Sequence, residues 1–141
     1  MMQVKLSAAE VEDLIQHGFG AKQKIFSVEE LREGFVRIRV PYHARMLRPG
    51  KVLSGPALFT AADIAMYALV LSHVGPALMA VTANFNINFL AKAAPGDIIA
   101  EARMLKLGRR LAVIEIALFS SAAPQTLVAQ ASGSYALPPV P

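Results

Sequence analysis

The sequence contains no cysteine, which excludes a disulfide framework, a thiolate metal site and a cysteine nucleophile. Histidine is scarce. His17, His43 and His73 stand at unrelated positions, without the spacing of metal ligands. Charge is sparse as well, at 17% of residues, while apolar side chains make up 55%, a balance that argues against intrinsic disorder. Lys5, Glu10, Glu12 and Asp13 interrupt any apolar run near the N-terminus. No signal-peptide organisation results, and a cytoplasmic location is expected. There is no P-loop or dinucleotide-binding glycine pattern. Ser54 has no His-Asp partnership at a known spacing, which argues against a serine nucleophile.

What is present is a chain of 141 residues, long enough for one domain over 1–141 with its own core. Fourteen Lys and Arg against ten Asp and Glu give +4. That mildly basic balance, without interleaved aromatics, does not argue for nucleic acid as a partner. Between Lys51 and Lys92 the only formal charge is Asp63. The segment from Ala57 to Val74 approaches the length of a membrane span. Asp63 near its middle would cost roughly 2.5–3.5 kcal/mol in a bilayer, and Thr60, Tyr67, Ser72 and His73 dilute it further. A buried helix without a membrane is the expectation.

Ser7 and Glu10 have the spacing of a capping box, and Gly18 supplies a stop, so a helix is expected over 7–17. Strand patterns cover Gln23 to Val28 and Phe35 to Val40, with Glu33-Gly34 as the turn between them. Pro41 to Ser54 reads as irregular. Pro56 suits the first turn of a long central helix over 56–74, which Gly75-Pro76 ends. Four strands follow, over Met79 to Phe89, Ile98 to Leu107, Leu111 to Phe119 and Thr126 to Ala136, and the tail Pro138 to Pro141 cannot be strand. In the first of these four, Met79, Val81, Phe85, Ile87 and Phe89 alternate with Thr82, Asn84, Asn86 and Asn88. One helix apolar nearly all round, among antiparallel strands, is an α+β arrangement in which a curved sheet wraps the helix. The Met79–Phe89 strand has the look of an edge that pairs with another copy.

Asp63 is the informative residue. Its helical neighbours are Phe59, Thr60, Met66 and Tyr67, and a carboxylate among apolar groups is costly unless it is satisfied or functional. Desolvation would move it toward the range of a useful general base. The alternative is a structural carboxylate bonded to a neighbouring chain segment. Ser54-Gly55-Pro56 opens the same helix, where free N–H groups and the positive dipole end can stabilise an oxyanion. It also reads as a plain N-cap. Arg103, Lys106, Arg109 and Arg110, with Lys92, form a basic cluster around a strand turn. The cluster is either a phosphate contact or a solvated hairpin. His43 lies in the loop, and His73 near the helix end suits the dipole there.

Together these segments resemble the hotdog-fold thioesterases of the PaaI-like, phenylacetate-pathway type. The residues that carry the resemblance are Arg48-Pro49-Gly50-Lys51-Val52-Leu53-Ser54-Gly55-Pro56 followed by Ala61-Ala62-Asp63, then Asn86-Ile87-Asn88-Phe89-Leu90, Pro95-Gly96-Asp97 and Leu107-Gly108-Arg109-Arg110-Leu111-Ala112-Val113. The likeness runs from about Leu31 to Ala136. It implies the hotdog fold, an antiparallel sheet around one long central helix, and a homodimer with one continuous sheet, often paired again into a homotetramer. It implies acyl-CoA hydrolysis without metal or cofactor, coenzyme A being part of the substrate. Asp63 matches the family's acidic general base or nucleophile, and Gly55 matches the glycine whose N–H polarises the thioester carbonyl, contributed by the other subunit. By the same resemblance Arg109 and Arg110 meet the CoA phosphates. Ser54, Arg48 and Asn86 are expected to contact substrate, and Phe59, Met66 and Tyr67 to line the acyl chain between helix and partner sheet.

Two departures stand out. Ser54-Gly55-Pro56 replaces the family's usual His-Gly-Gly, and Arg48 replaces a frequent Asn. A Ser54 hydroxyl partly substitutes for the missing His, and Arg48 either selects a charged acyl group or pairs with Asp63. The alternatives are an acyl-CoA binding or sensing module that has lost hydrolysis, and a purely structural or interaction protein. A hydratase of the same fold class is disfavoured, because its paired Asp and His are not recognisable here.

Overall fold

The computed structural model describes residues 2–76 and 80–138. Helix α1 (Ala8–Gly18) starts at Ser7, whose hydroxyl accepts from the Glu10 N–H while the Glu10 carboxylate accepts from the Ser7 N–H, a reciprocal capping box. Strands β1 (Ser27–Arg32) and β2 (Phe35–Val40) follow. A 3-10 turn at Ala44–Met46 leads to a small hairpin of β3 (Leu47–Arg48) and β4 (Val52–Leu53). Helix α2 (Gly55–Val74) comes next, then β5 (Val81–Phe89), β6 (Ile98–Leu107), β7 (Leu111–Ser120) and β8 (Ala129–Ala136). The main sheet has six antiparallel strands in the order β1-β2-β6-β7-β8-β5. It curls around α2, which touches β2, β5, β6, β7 and β8. This is the hotdog arrangement that the sequence implied.

Small side chains let helix and sheet approach closely. Ala61, Ala62, Ala65 and Ala68 of α2 are fully buried, facing a layer of Ala100, Ala102, Ala112 and Ala131 filled out by Val36, Ile38, Ile114, Ile116 and Leu118. At Gly133 on β8 even a Cβ would not fit, since it would lie 2.6 Å from the Met66 sulfur and 2.9 Å from the Asn84 carbonyl oxygen. Among the described residues α2 alone is long and apolar enough to cross a membrane, and 67% of its apolar window is buried inside the sheet. Its hydrophobicity is that of a core helix.

Several boundaries differ from the sequence expectation. The first strand lies over 27–32 rather than 23–28. The Gln16 side chain donates to the Ala21 and Gln23 carbonyls and accepts from the Ile25 N–H, so this stretch meets its backbone needs on α1 instead of in a ladder. The segment 41–54, read as irregular, contains the β3–β4 hairpin, whose turn puts Gly50 (φ 99°) and Lys51 (φ 56°) in the left-handed region. The last strand begins at Ala129 rather than Thr126. The Thr126 N–H closes a turn on Ala123, and the Val128 carbonyl accepts from Leu90 and Ala91. Met79 and residues 139–141 of the expected strand and tail lie outside the described residues.

A bulge produces the most consequential difference. In the β5–β8 ladder Thr82 pairs with Tyr135 and Asn84 with Ser134, leaving Ala83 as the extra residue. Strict alternation puts Val81 with Phe85 and Ile87. The bulge instead places Thr82 on their face, opposite the buried Tyr135. β5 is one of the two edge strands, and among the described residues no strand pairs with its other side.

Candidate active site

The N-terminal half of α2 borders a cavity of about 680 Å³. Phe19, Ile25, Val40, Tyr42, Met46, Phe59 and Ile64 give it an apolar lining, and Ser54, Thr60 and Asp63 add polar groups from the helix. Lys24, His43 and Arg45 line it as well. A second cavity of about 390 Å³ is bounded by Gly18, Phe19, Tyr67, Ala80, Val81, Thr82 and Tyr135.

Asp63 lines the larger cavity, and its two hydrogen-bond partners line the smaller one. The Thr82 hydroxyl donates to Asp63 Oδ1 at 2.9 Å, and the Tyr135 hydroxyl donates to the same oxygen at 3.1 Å. Oδ2 has no hydrogen-bond partner among the described residues. The carboxylate is therefore held by two strands that meet beneath its helix, rather than by its helical neighbours. Burial pushes the Tyr135 phenol far above its ordinary range. The hydrogen bond with Thr82 opposes that rise, and the Asp63 charge adds to it. Tyr67 stacks on Tyr135 at 5.8 Å and is likewise raised by burial. Both phenols remain protonated donors at neutral pH.

The helix start follows from its sequence. The Ser54 hydroxyl accepts from the Ala57 N–H at 3.2 Å, the Ser54 carbonyl accepts from the Leu58 N–H, and Pro56 has no N–H. The Gly55 N–H is thus the first-turn donor without a partner among the described residues. It sits at the positive end of the helix dipole. The Phe89 ring covers Gly55 so closely that a Cβ there would lie 3.2 Å from it.

The remaining expected site residues are dispersed. Phe59 lines the large cavity and leans on Phe85 at 4.2 Å, and Tyr67 lines the small one. Met66 is fully buried beneath Gly133 and lines neither. Arg48 is exposed on the β3–β4 hairpin, and no ion pair joins it to Asp63 among the described residues. Asn86 is exposed, paired with Ser132 on the β5 face turned away from α2. Arg109 and Arg110 sit on the exposed β6–β7 turn. Arg103, from the same basic cluster, instead covers the Phe35 ring at 4.9 Å, with Arg32 on that ring at 4.1 Å. His43 caps the 3-10 turn and lines the large cavity. His73 is buried, accepting from the Gly34 N–H at 2.8 Å, and ties the β1–β2 turn to the end of α2. Sequence reasoning missed Thr82 and Tyr135. The register shift that aims Thr82 leaves no mark in the alternation.

Comparison with known proteins came to the same region of fold space. Residues 50–125 match the model of the thioesterase superfamily. A crystal structure of a provisionally named thioesterase from Silicibacter sp. TM1040 superposes with a TM-score of 0.87 at 37% identity, covering 98% of this chain and 96% of that one. A protein of Saccharolobus solfataricus with a provisional esterase name is 31% identical over 92% of this chain and 85% of its own length. The phenylacetic acid degradation protein PaaI of Thermus thermophilus, in a mutant form, shares the fold with a TM-score of 0.69 at 23% identity, covering 80% of this chain and 93% of that one.

Proposed function

The chain belongs to the thioesterase superfamily, and on that premise we propose that it hydrolyses an acyl-CoA to a carboxylic acid and coenzyme A. The observation that carries this reading is Asp63, a carboxylate anchored through one oxygen at the wall of an apolar cavity that also reaches the helix start. The acyl chain occupies the cavity against Ile25, Met46, Phe59 and Ile64. A Gly55 N–H polarises the thioester carbonyl, helped by the dipole. Asp63 takes a proton from water as its oxygen adds to the carbonyl carbon, and the carbon–sulfur bond breaks as the proton passes to the departing thiolate. In the variant mechanism Asp63 adds directly to the carbonyl carbon, the carbon–sulfur bond breaks and coenzyme A leaves as the thiolate. Water then cleaves the resulting anhydride to the free acid and the Asp63 carboxylate. The reaction as written needs water and no resident cofactor.

Gly55 and Asp63 of one chain cannot serve one carbonyl. They lie eight positions apart on α2, about 12 Å along its axis, whereas reacting atoms must approach to roughly 3–3.5 Å. A homodimer joined along the β5 edge resolves this, Asp63 working with the Gly55 of a second copy. Pairing of dimers into a homotetramer extends the same scheme. Phe89, exposed at the end of β5 and lying on Gly55, would then form part of the contact.

Arg109 and Arg110 on their surface turn meet the CoA phosphates. Asn86, facing away from the cavity, serves only the part of the substrate outside it. Arg48 attracts anionic groups from the hairpin ahead of α2. Ser54 retains its hydroxyl proton for the substrate while capping the helix. The test is thiol release from a panel of acyl-CoA thioesters, with ligand-induced melting shifts measured alongside. Thiol release supports hydrolysis. Melting shifts without turnover support the second reading, a non-hydrolysing acyl-CoA sensor, which is favoured by the serine at position 54. Neither signal with any acyl-CoA overturns both.

A further inference from the structure

We propose that Tyr135 is a positioning residue for Asp63, its hydroxyl fixing which carboxylate oxygen meets the substrate. This rests on the hydrolase reading above. The Tyr135 and Thr82 hydroxyls converge on Oδ1, at 3.1 and 2.9 Å, and leave Oδ2 as the oxygen without a protein partner among the described residues. The two donors are direct cross-strand partners, Thr82 on β5 and Tyr135 on β8. The bulge at Ala83 is what brings the threonine to the helix face.

The phenol suits an anchor. Tyr135 is 4% exposed, and its ring is held by stacking on Tyr67 at 5.8 Å with 17° between planes. Two donors on one oxygen restrict rotation of the carboxylate. Oδ2 is then presented in one orientation, and placement errors of about 1 Å at such a position cost on the order of a hundredfold in rate. The titratable groups around this carboxylate are Tyr135 from β8, Tyr67 from its own helix, and Lys24, His43 and Arg45, which line the same cavity.

The test is Tyr135→Phe, which keeps the stacked ring and deletes only the hydroxyl. The expected result is a kcat lower by roughly 10–100-fold with KM little changed. The loss falls on kcat rather than on KM, because the carboxylate is still present but free to rotate. Thr82→Val lowers kcat in the same way with KM little changed, and Thr82→Ser restores it. In an Asp63→Asn background Tyr135→Phe adds no further loss, since it acts through the missing carboxylate. A wild-type kcat in Tyr135→Phe overturns the proposal. So does a lower melting temperature with wild-type kcat per folded molecule, which marks a structural role alone. An additive loss in the double variant overturns it as well. Failure of the hydrolase reading is separate, being read from the wild-type protein, which would then release no thiol from any thioester.

Discussion

The two halves of α2 are built from the same few residue types yet do opposite things. From Ala65 to Val74 the helix is closed: Ala65, Met66, Ala68, Leu69, Val70, Leu71, Ser72 and His73 are buried, and every polar side chain among these is bonded. From Gly55 to Ile64 it is open, with Phe59 and Thr60 exposed, an amide at Gly55 that has no partner among the described residues, and a carboxylate at a cavity wall. The difference teaches where a core helix can carry chemistry. The sheet grips small residues of both halves, Ala61, Ala62, Ala65 and Ala68, and that grip holds the other face of the first half at the cavity without filling it.

The comparison is sharpened first at its closed end. Met66→Ala removes a fully buried side chain from over Gly133, and about 2–5 kcal/mol of stability is expected to go with it. Chemical denaturation measures the loss, while thiol release per folded molecule should stay near wild type. At the open end Gly55→Pro deletes the first-turn N–H that has no partner among the described residues, and a kcat lower by roughly 10²–10³ is expected. Gly55→Ala meets the same Phe89 ring but keeps the N–H. Steady-state kinetics on the pair therefore separates the donor from crowding. The smallest effect is at the seam between halves. Gly133→Ala forces a methyl group against Met66 and the Asn84 carbonyl, with an expected cost of about 1–3 kcal/mol in unfolding free energy. In a Met66→Ala background that cost should shrink, because part of the collision is gone.

Much of this was legible in the sequence, for physical reasons. Hydrophobic periodicity marks elements that bury one face, so β2 and β6 fall at their expected positions and α2 within a residue of them. Asp63 was visible because a charge in an apolar helix has few innocent explanations. What could not be read depended on side chains reaching across the chain. Gln16 draws 21–25 out of the sheet, and a single extra residue at Ala83 turns Thr82 inward. Tyr135 carries no local signal, since its role exists only where β8 passes beneath Asp63. Met66 shares a helix turn with Asp63, but proximity in sequence did not distinguish the buried side of the turn from the open one.

The carboxylate itself bears the most direct test, thiol release from acyl-CoA thioesters by the wild-type protein and by Asp63→Asn, with melting temperature and oligomeric state measured on both. The account predicts a folded variant whose kcat is lower by roughly 10²–10⁴. Wild-type turnover by Asp63→Asn would contradict it.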